Sequence, residues 1–205
     1  MGLYADLIFP HVLEFMMSRP HMMKERVRAL AEARGDVLEI GFGSGLNLAC
    51  YPAAVEQFTV LDPANILKKR VAKRIAAAPM PIEKVHIDAK ELPFDAGRFD
   101  CVVSTWTLCT IPEVESALRE VRRVLKSGGT FLFLEHGRSD DERVASRQDR
   151  WNWLNRIIGV GCNLNRPIDR LVTDAGLELR ALERFQMPKS PRISAEHYLG
   201  TAVRA

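Results

Sequence analysis

The sequence has 205 residues, of which 47% are hydrophobic and 27% are charged, and its formal net charge is +3. This length and composition are typical of one α/β domain with a full hydrophobic core. The low net charge and the lack of a nucleic-acid-binding motif argue against nucleic acid as a partner. No stretch reaches the roughly 18 uncharged apolar residues of a membrane span.

The four cysteines, Cys50, Cys101, Cys109 and Cys162, lie far apart in the sequence and form no C-x-x-C pair. Such a spacing is typical of reduced thiols in the cytosol and does not favour a zinc site. From the sequence we therefore expect a cytoplasmic protein without a metal ion.

Two helices are predicted at the start of the chain, over residues 3–17 and 20–33. Ser18 is suited to cap the second helix, Pro20 to its first turn, and Gly35 to its end. Because this segment precedes the first predicted strand, we expect residues 1–33 to form a lid on a single domain that spans residues 1–205. Contact of the first helix with a membrane surface stays open as an alternative.

The short apolar run Val37-Leu38-x-Ile40 predicts a buried parallel strand that leads into Gly41-Phe42-Gly43-Ser44-Gly45. Glycines at a strand end let a ligand approach the backbone closely, and a helix starting within residues 44–50 would point its N–H groups at that ligand. The dinucleotide pattern G-x-G-x-x-G is excluded because Leu46 stands where it needs glycine.

A second strand, residues 56–61, ends in Asp62-Pro63. An acid at the tip of the second strand of a doubly wound sheet accepts hydrogen bonds from ribose hydroxyls, which is the role we predict for Asp62. The alternative is that Asp62 caps the next helix, which is predicted from about Asn65 to Ala78.

A third strand is predicted over residues 82–87 and a fourth over residues 99–104. The tip of the fourth strand, Thr105-Trp106-Thr107-Leu108-Cys109, lies where the strand order would reverse, and ligands of open α/β sheets bind in that crevice. We expect Trp106 to form a wall of the acceptor pocket.

An amphipathic helix opened by Pro112 and ended by Gly128-Gly129 precedes a fifth strand over residues 130–134. His136 follows at the carboxyl edge of the sheet, where its side chain is suited to accept a proton near neutral pH. Glu135 is predicted to orient that ring or to act as the base itself. In the alternative interpretation His136 only shapes the loop before Gly137.

The remaining chain closes the same domain. A capping box over residues 139–142 predicts a helix that runs to about Ile158, and a further helix is expected over residues 165–176. Residues 177–185 and 198–204 are predicted to form the last two strands as a hairpin.

Several motifs together resemble the class I S-adenosylmethionine (SAM) dependent methyltransferases with a methyltransferase type 11 core. They are Glu39-x-Gly41-x-Gly43-x-Gly45, Asp62, Asp88, Phe99-Asp100 and Gly128-Gly129. The resemblance implies a Rossmann-like α/β fold, a doubly wound seven-stranded sheet in the order 3-2-1-4-5-7-6 with strand 7 antiparallel and helices on both faces. It also implies SAM as methyl donor, S-adenosylhomocysteine as product, and no metal.

The same resemblance implies which residues contact the cofactor. The adenine would bind at Asp88 and Ala89, while Tyr4 on the N-terminal lid is a candidate contact. The remaining contacts would come from the glycine loop and the strand tips: Glu39, Gly41, Phe42, Gly43, Gly45, Asp62, Pro63 and Thr105.

A narrower resemblance points to the animal alkyl-thiol methyltransferases of the methyltransferase-like seven group. It rests on short motifs such as Leu108-Cys109, Glu135-His136 and Gly161-Cys162-Asn163-Leu164. It implies a small-molecule acceptor methylated on a thiol sulfur. Two alternatives stay open, namely carbon or nitrogen methylation of a quinone or phospholipid precursor, and SAM binding without catalysis. The sequence predicts no oligomeric state.

Overall fold

The computed structural model describes residues 3–61, 67–85 and 92–205. Within these ranges seven strands form one sheet in the order β3-β2-β1-β4-β5-β7-β6. They are β1 Gly35–Ile40, β2 Val55–Leu61, β3 Ile82–Val85, β4 Phe99–Thr105, β5 Leu125–His136, β6 Glu178–Gln186 and β7 Glu196–Val203. β7 pairs antiparallel with β5 and β6, and the other described pairs are parallel, which confirms the predicted topology.

Helices cover both faces of this sheet. The α-helices of the described ranges are α1 Phe9–Met17, α2 Pro20–Leu30, α3 Lys68–Ala76, α4 Val114–Val124, α5 Glu142–Ile158 and α6 Ile168–Asp174. A π-helical turn at Tyr4–Ile8 leads into α1, and 3₁₀ turns lie at Leu46–Ala49 and Arg192–Ser194. None of these helices is long and apolar enough to cross a bilayer.

The central strands are apolar on both faces, as a parallel sheet between two helix layers requires. Leu38 of β1 packs in the core formed with α4 and α6, while its neighbour Val37 packs in the core formed with α2 and α3. This alternation fixes the register of β1 between β2 and β4, because a shift by one residue would exchange the two faces. The carboxyl ends of β1 and β4 are thereby held side by side.

Two predicted helix boundaries at the start of the chain were wrong. The second helix ends at Leu30 rather than at Gly35, because the Gly35 N–H already donates to the Ala54 carbonyl where β1 meets β2. Ser18 ends α1 instead of capping α2, since its hydroxyl donates to the Phe15 carbonyl at 3.2 Å. Pro20 does occupy the first turn of α2, as predicted.

Three further local predictions were also wrong. Within residues 44–50 the chain forms a 3₁₀ turn at Leu46–Ala49 and no α-helix. The helix α4 ends at Val124, and Gly128-Gly129 lie inside β5, which pairs with β4 from Leu125 onward. Asp141 rather than Ser139 caps α5, because its carboxylate accepts the N–H groups of the first turn.

Candidate active site

A cleft of about 340 Å³ opens at the carboxyl ends of β1 and β4. These strands are neighbours although β2 and β3 separate them in the sequence, so the cleft lies where the strand order reverses. Three groups of residues line it, from α1 and α2, from the loop after β1, and from the tip of β4. The main members are Leu13, Glu14, Met17, Arg26, Glu39, Gly41, Phe42, Gly43, Thr105, Trp106, Thr107 and Ile111.

The glycine loop forms the floor of the cleft. Gly41 has φ +72°, and a Cβ atom there would lie 2.1 Å from the Thr107 hydroxyl oxygen, so a side chain at this position would collide with the β4 tip. Gly43 has φ +56°, and among the described residues an added Cβ would meet only the Gly41 carbonyl oxygen, at 3.9 Å. The space above Gly43 is therefore open, as a backbone cradle for a nucleoside requires. Gly45 faces the Phe42 ring rather than the cleft.

Arg26 is a buried cation in the wall of the cleft, and its place in the sequence does not indicate this. Its Nη1 donates to Asn47 Oδ1 at 2.6 Å and to Thr105 Oγ1 at 3.2 Å, and its guanidinium lies 4.6 Å from the Trp106 ring centroid. The Nε atom is buried and has no hydrogen-bond partner in the described part of the chain. Burial lowers the pKa of Arg26 to about 10, so the group stays charged at neutral pH and suits an anionic ligand.

Helix α1 closes the cleft from above. Its buried Glu14 accepts hydrogen bonds from the Ser44 hydroxyl and, at 2.6 Å, from Arg74 Nη2. Two other α1 side chains, Leu13 and Met17, line the cleft. The N-terminal segment thus contacts the glycine loop directly, the position in which a lid excludes water.

Glu135 holds the tip of β4 in place. Its carboxyl is fully buried, and Oε1 accepts the Ser104 hydroxyl at 2.7 Å and the Thr107 N–H at 3.0 Å. Trp106, which these contacts flank, has φ +50°, a strained conformation for a tryptophan. Glu135 does not line the cleft in the described structure; it positions residues that do.

Burial raises the pKa of Glu135 to about 7 from its ordinary 4.5, despite the hydrogen bonds that oppose this shift. Because the folded-state value is the higher one, Glu135 stabilises the fold below pH 4.5 and this contribution is lost as the pH rises to about 7. We expect Glu135→Gln to be more stable than wild type at pH 8 by up to roughly 3 kcal/mol, with no advantage at pH 4. Urea unfolding at several pH values measures this, and parallel stability curves would contradict the assignment.

His136 lies beside two cysteines rather than in the lining of the cleft. Its Nε2 is 3.1 Å from Cys162 Sγ, and its Nδ1 is buried without a partner in the described ranges. A hydrogen bond with Cys109 and the adjacent His136 ring lower the pKa of Cys162 below its ordinary value, although burial opposes this. Burial lowers the pKa of His136, but contact with Cys162 outweighs it and the net shift is upward.

The other residues that were predicted to contact the cofactor line the cleft, lie elsewhere, or fall outside the described residues. Glu39 lies at the buried end of β1, lines the cleft and accepts the Tyr51 hydroxyl at 2.6 Å. Tyr4 donates its hydroxyl to the Ile158 carbonyl at 3.0 Å and is not part of the cleft lining. The predicted contacts Asp62, Pro63, Asp88 and Ala89 lie outside the described residues, and their roles stay predictions.

The chain is similar to known methyltransferases in sequence and in fold. The methyltransferase domain family matches residues 38–133. The human thiol S-methyltransferase TMT1A is 30% identical, over 93% of this chain and 80% of its own length. Phosphatidylethanolamine N-methyltransferase of Cereibacter sphaeroides is 29% identical, over 82% of this chain and 81% of its own. The solved SAM-dependent methyltransferase of Mesorhizobium loti shares the fold, with a TM-score of 0.64, 17% identity and coverage of 91% and 99%.

Proposed function

Since the chain belongs to the SAM-dependent methyltransferases, we propose that it transfers the SAM methyl group to the sulfur of a small apolar thiol. The observation that carries the thiol assignment is the 30% identity to a thiol S-methyltransferase over 93% of the chain. The cleft supports an apolar acceptor, because Leu13, Met17 and Ile111 form much of its wall.

The cleft fits SAM in its shape and charge. The open space above Gly43 accommodates the nucleoside, and Arg26 would hold the carboxylate of the methionine moiety, since it is a buried cation whose Nε has no partner among the described residues. Asp62 is proposed to accept the ribose hydroxyls from its place after β2. When bound, SAM supplies an electrophilic methyl group on a sulfonium.

The reaction depends mainly on the alignment of the thiolate sulfur with the methyl group of SAM. A thiolate sulfur forms a bond to the methyl carbon while the bond from that carbon to the sulfonium sulfur breaks, so two opposite charges disappear. Leu13 and Met17 of α1 keep water out of the cleft, which favours this loss of charge. A free thiol has a pKa near 8.5, so a single base that takes its proton suffices.

His136 remains the proposed base, and Trp106, which lines the cleft, the proposed wall of the acceptor pocket. Glu135 is proposed to act through its hydrogen bonds to Ser104 and Thr107, which fix the β4 tip beside Trp106. Residues 1–33 are proposed as the lid, with α1 as the part that contacts the glycine loop through Glu14.

Gly43→Val is expected to weaken SAM binding by roughly 5-fold to 150-fold, because overpacking costs about 1–3 kcal/mol. The valine side chain would occupy the open space above the glycine loop. Gly97→Val is the matched control, since Gly97 also has a positive φ, +71°, and open space around it but does not line the cleft. Calorimetric titration with SAM measures both variants, and equal losses in the two would contradict the cradle.

An acceptor panel tests the proposed reaction. Methyl-labelled SAM is incubated with the protein and an apolar thiol, a demethylated quinol or phosphatidylethanolamine vesicles, in buffer free of reducing thiols. We expect label in a methyl thioether and none in the other products, with little label anywhere for Gly43→Val. Methylation of the quinol or the amine without the thiol would overturn the acceptor assignment.

A further inference from the structure

Three donor atoms from distant parts of the chain meet beside the cleft. Cys109 comes from the loop between β4 and α4, His136 is the last residue of β5, and Cys162 follows α5. One ligand atom of each lies within 4.8 Å of those of the other two, and His136 Nε2 is 3.1 Å from Cys162 Sγ. The sequence spacing alone predicted no metal site, because it does not show that these segments converge.

The backbone holds both cysteines independently of their thiols. The backbone N–H and the side-chain amide of Asn163 both donate to the Cys109 carbonyl at 2.9 Å, which ties the two cysteine loops together. Asn155 Nδ2 donates to the Cys162 carbonyl at 2.8 Å. The donors are therefore positioned before any ligand arrives, which reduces the ordering cost of binding.

Two thiolates and an imidazole are a soft donor set. Such a set suits zinc-like ions rather than Mg²⁺ or Ca²⁺, which prefer oxygen. Tetrahedral zinc with bonds of about 2.3 Å to sulfur and 2.0 Å to nitrogen requires donors roughly 3.5–3.8 Å apart. The separations here, from 3.1 Å to at most 4.8 Å, need shifts of about 1 Å or less.

We propose that Cys109, His136 and Cys162 form a binding site for one Zn²⁺ ion, with the fourth coordination position open. Two thiolates balance the charge of the ion, and three protein ligands with one free position are typical of zinc that contacts a small molecule. A metal bound at Nε2 would remove His136 as a free base. The metal site does not depend on the proposed acceptor, so its test does not use methyl transfer.

Zinc titration of the reduced, metal-stripped full-length protein, in competition with a chromophoric chelator, tests the site. We expect one ion per chain, and the same site filled with Co²⁺ should show thiolate-to-metal charge-transfer absorption. Loss of an outer-shell partner costs about 10–100-fold in metal affinity, so Cys162→Ser and His136→Asn should each cost at least about 100-fold. These two side chains are partly exposed, which makes the variants safer for folding than a change at buried Cys109.

Cys50→Ser is the matched control, because Cys50 is also a partly exposed free cysteine. Its thiol donates to the Leu46 carbonyl and is not part of the group formed by Cys109, His136 and Cys162. We expect it to bind Zn²⁺ as the wild type does. Circular dichroism verifies that all variants are folded. Wild-type affinity no higher than that of the Cys162 and His136 variants would overturn the proposal, as would a Cys109–Cys162 disulfide forming in a protein that binds no metal when reduced.

Discussion

Arg26→Met is expected to weaken SAM binding by roughly 30-fold to several thousand-fold. Truncating one member of a buried charge pair costs about 2–5 kcal/mol, and 1.4 kcal/mol is a factor of ten. Arg26 is 6% exposed, and the hydrogen bonds of its guanidinium within the described residues go to two neutral groups, Asn47 and Thr105. The nearby Glu39 carboxylate helps to keep it charged. Without Arg26 the carboxylate of SAM would be buried with no positive partner.

Arg28→Met is the control for this experiment. Arg28 lies on the same helix, two residues later, but it is partly exposed and forms ion pairs with the exposed Glu183 and the buried Glu25 instead of lining the cleft of the described residues. We expect its variant to bind SAM within about twofold of the wild type, as surface pairs contribute little. Arg26→Lys should recover part of the loss, because it restores the charge without the fork geometry. Equal affinities for Arg26→Met and Arg28→Met would exclude Arg26 as the anion partner.

His136→Ala is expected to slow thiol methylation by about 100-fold or more and to leave SAM affinity nearly unchanged. The expectation follows from the place of His136 at the carboxyl end of β5 and from the need for a group that takes the proton of the thiol. The raised pKa of His136 keeps the ring protonated over a wider range, so a base-limited wild-type rate should rise with pH. Initial rates at saturating SAM measure both effects.

The pH dependence separates the two roles open to His136. For a free base, the loss in His136→Ala should shrink as the pH approaches the pKa of the thiol, because the substrate then ionises unaided. If His136 is a metal ligand, His136→Ala should lose zinc. Removing zinc from the wild type should then slow thiol methylation to a similar extent. A loss that neither pH nor zinc changes, together with weaker SAM binding, would assign His136 a structural role.

The topology could be predicted because its signals are local. Short apolar runs, such as Val37-Leu38-x-Ile40, indicate buried parallel strands, and the glycines after β1 indicate the place where a ligand meets the backbone. The boundaries at Gly35 and Gly128 were harder, because these glycines have positive φ yet lie in strands. Strand pairing decided their conformation, and single-residue propensity did not.

The wall of the cleft could not be predicted in the same way. Arg26 lies on an amphipathic helix where a charged residue usually faces solvent, and only the packing of α2 against the sheet buries it. Glu135 follows an apolar strand in the sequence, yet its hydrogen bonds to Ser104 and Thr107 depend on β4 and β5 being neighbours. The same holds for Cys109 and Cys162, which only the folded chain brings together.

The crystal structure of the protein with S-adenosylhomocysteine tests the central claim most directly. We expect the nucleoside above Gly41 and Gly43, under α1, with the carboxylate within hydrogen-bond distance of Arg26. A ligand bound outside this cleft, or bound in it with its carboxylate away from Arg26, would contradict the proposed binding mode.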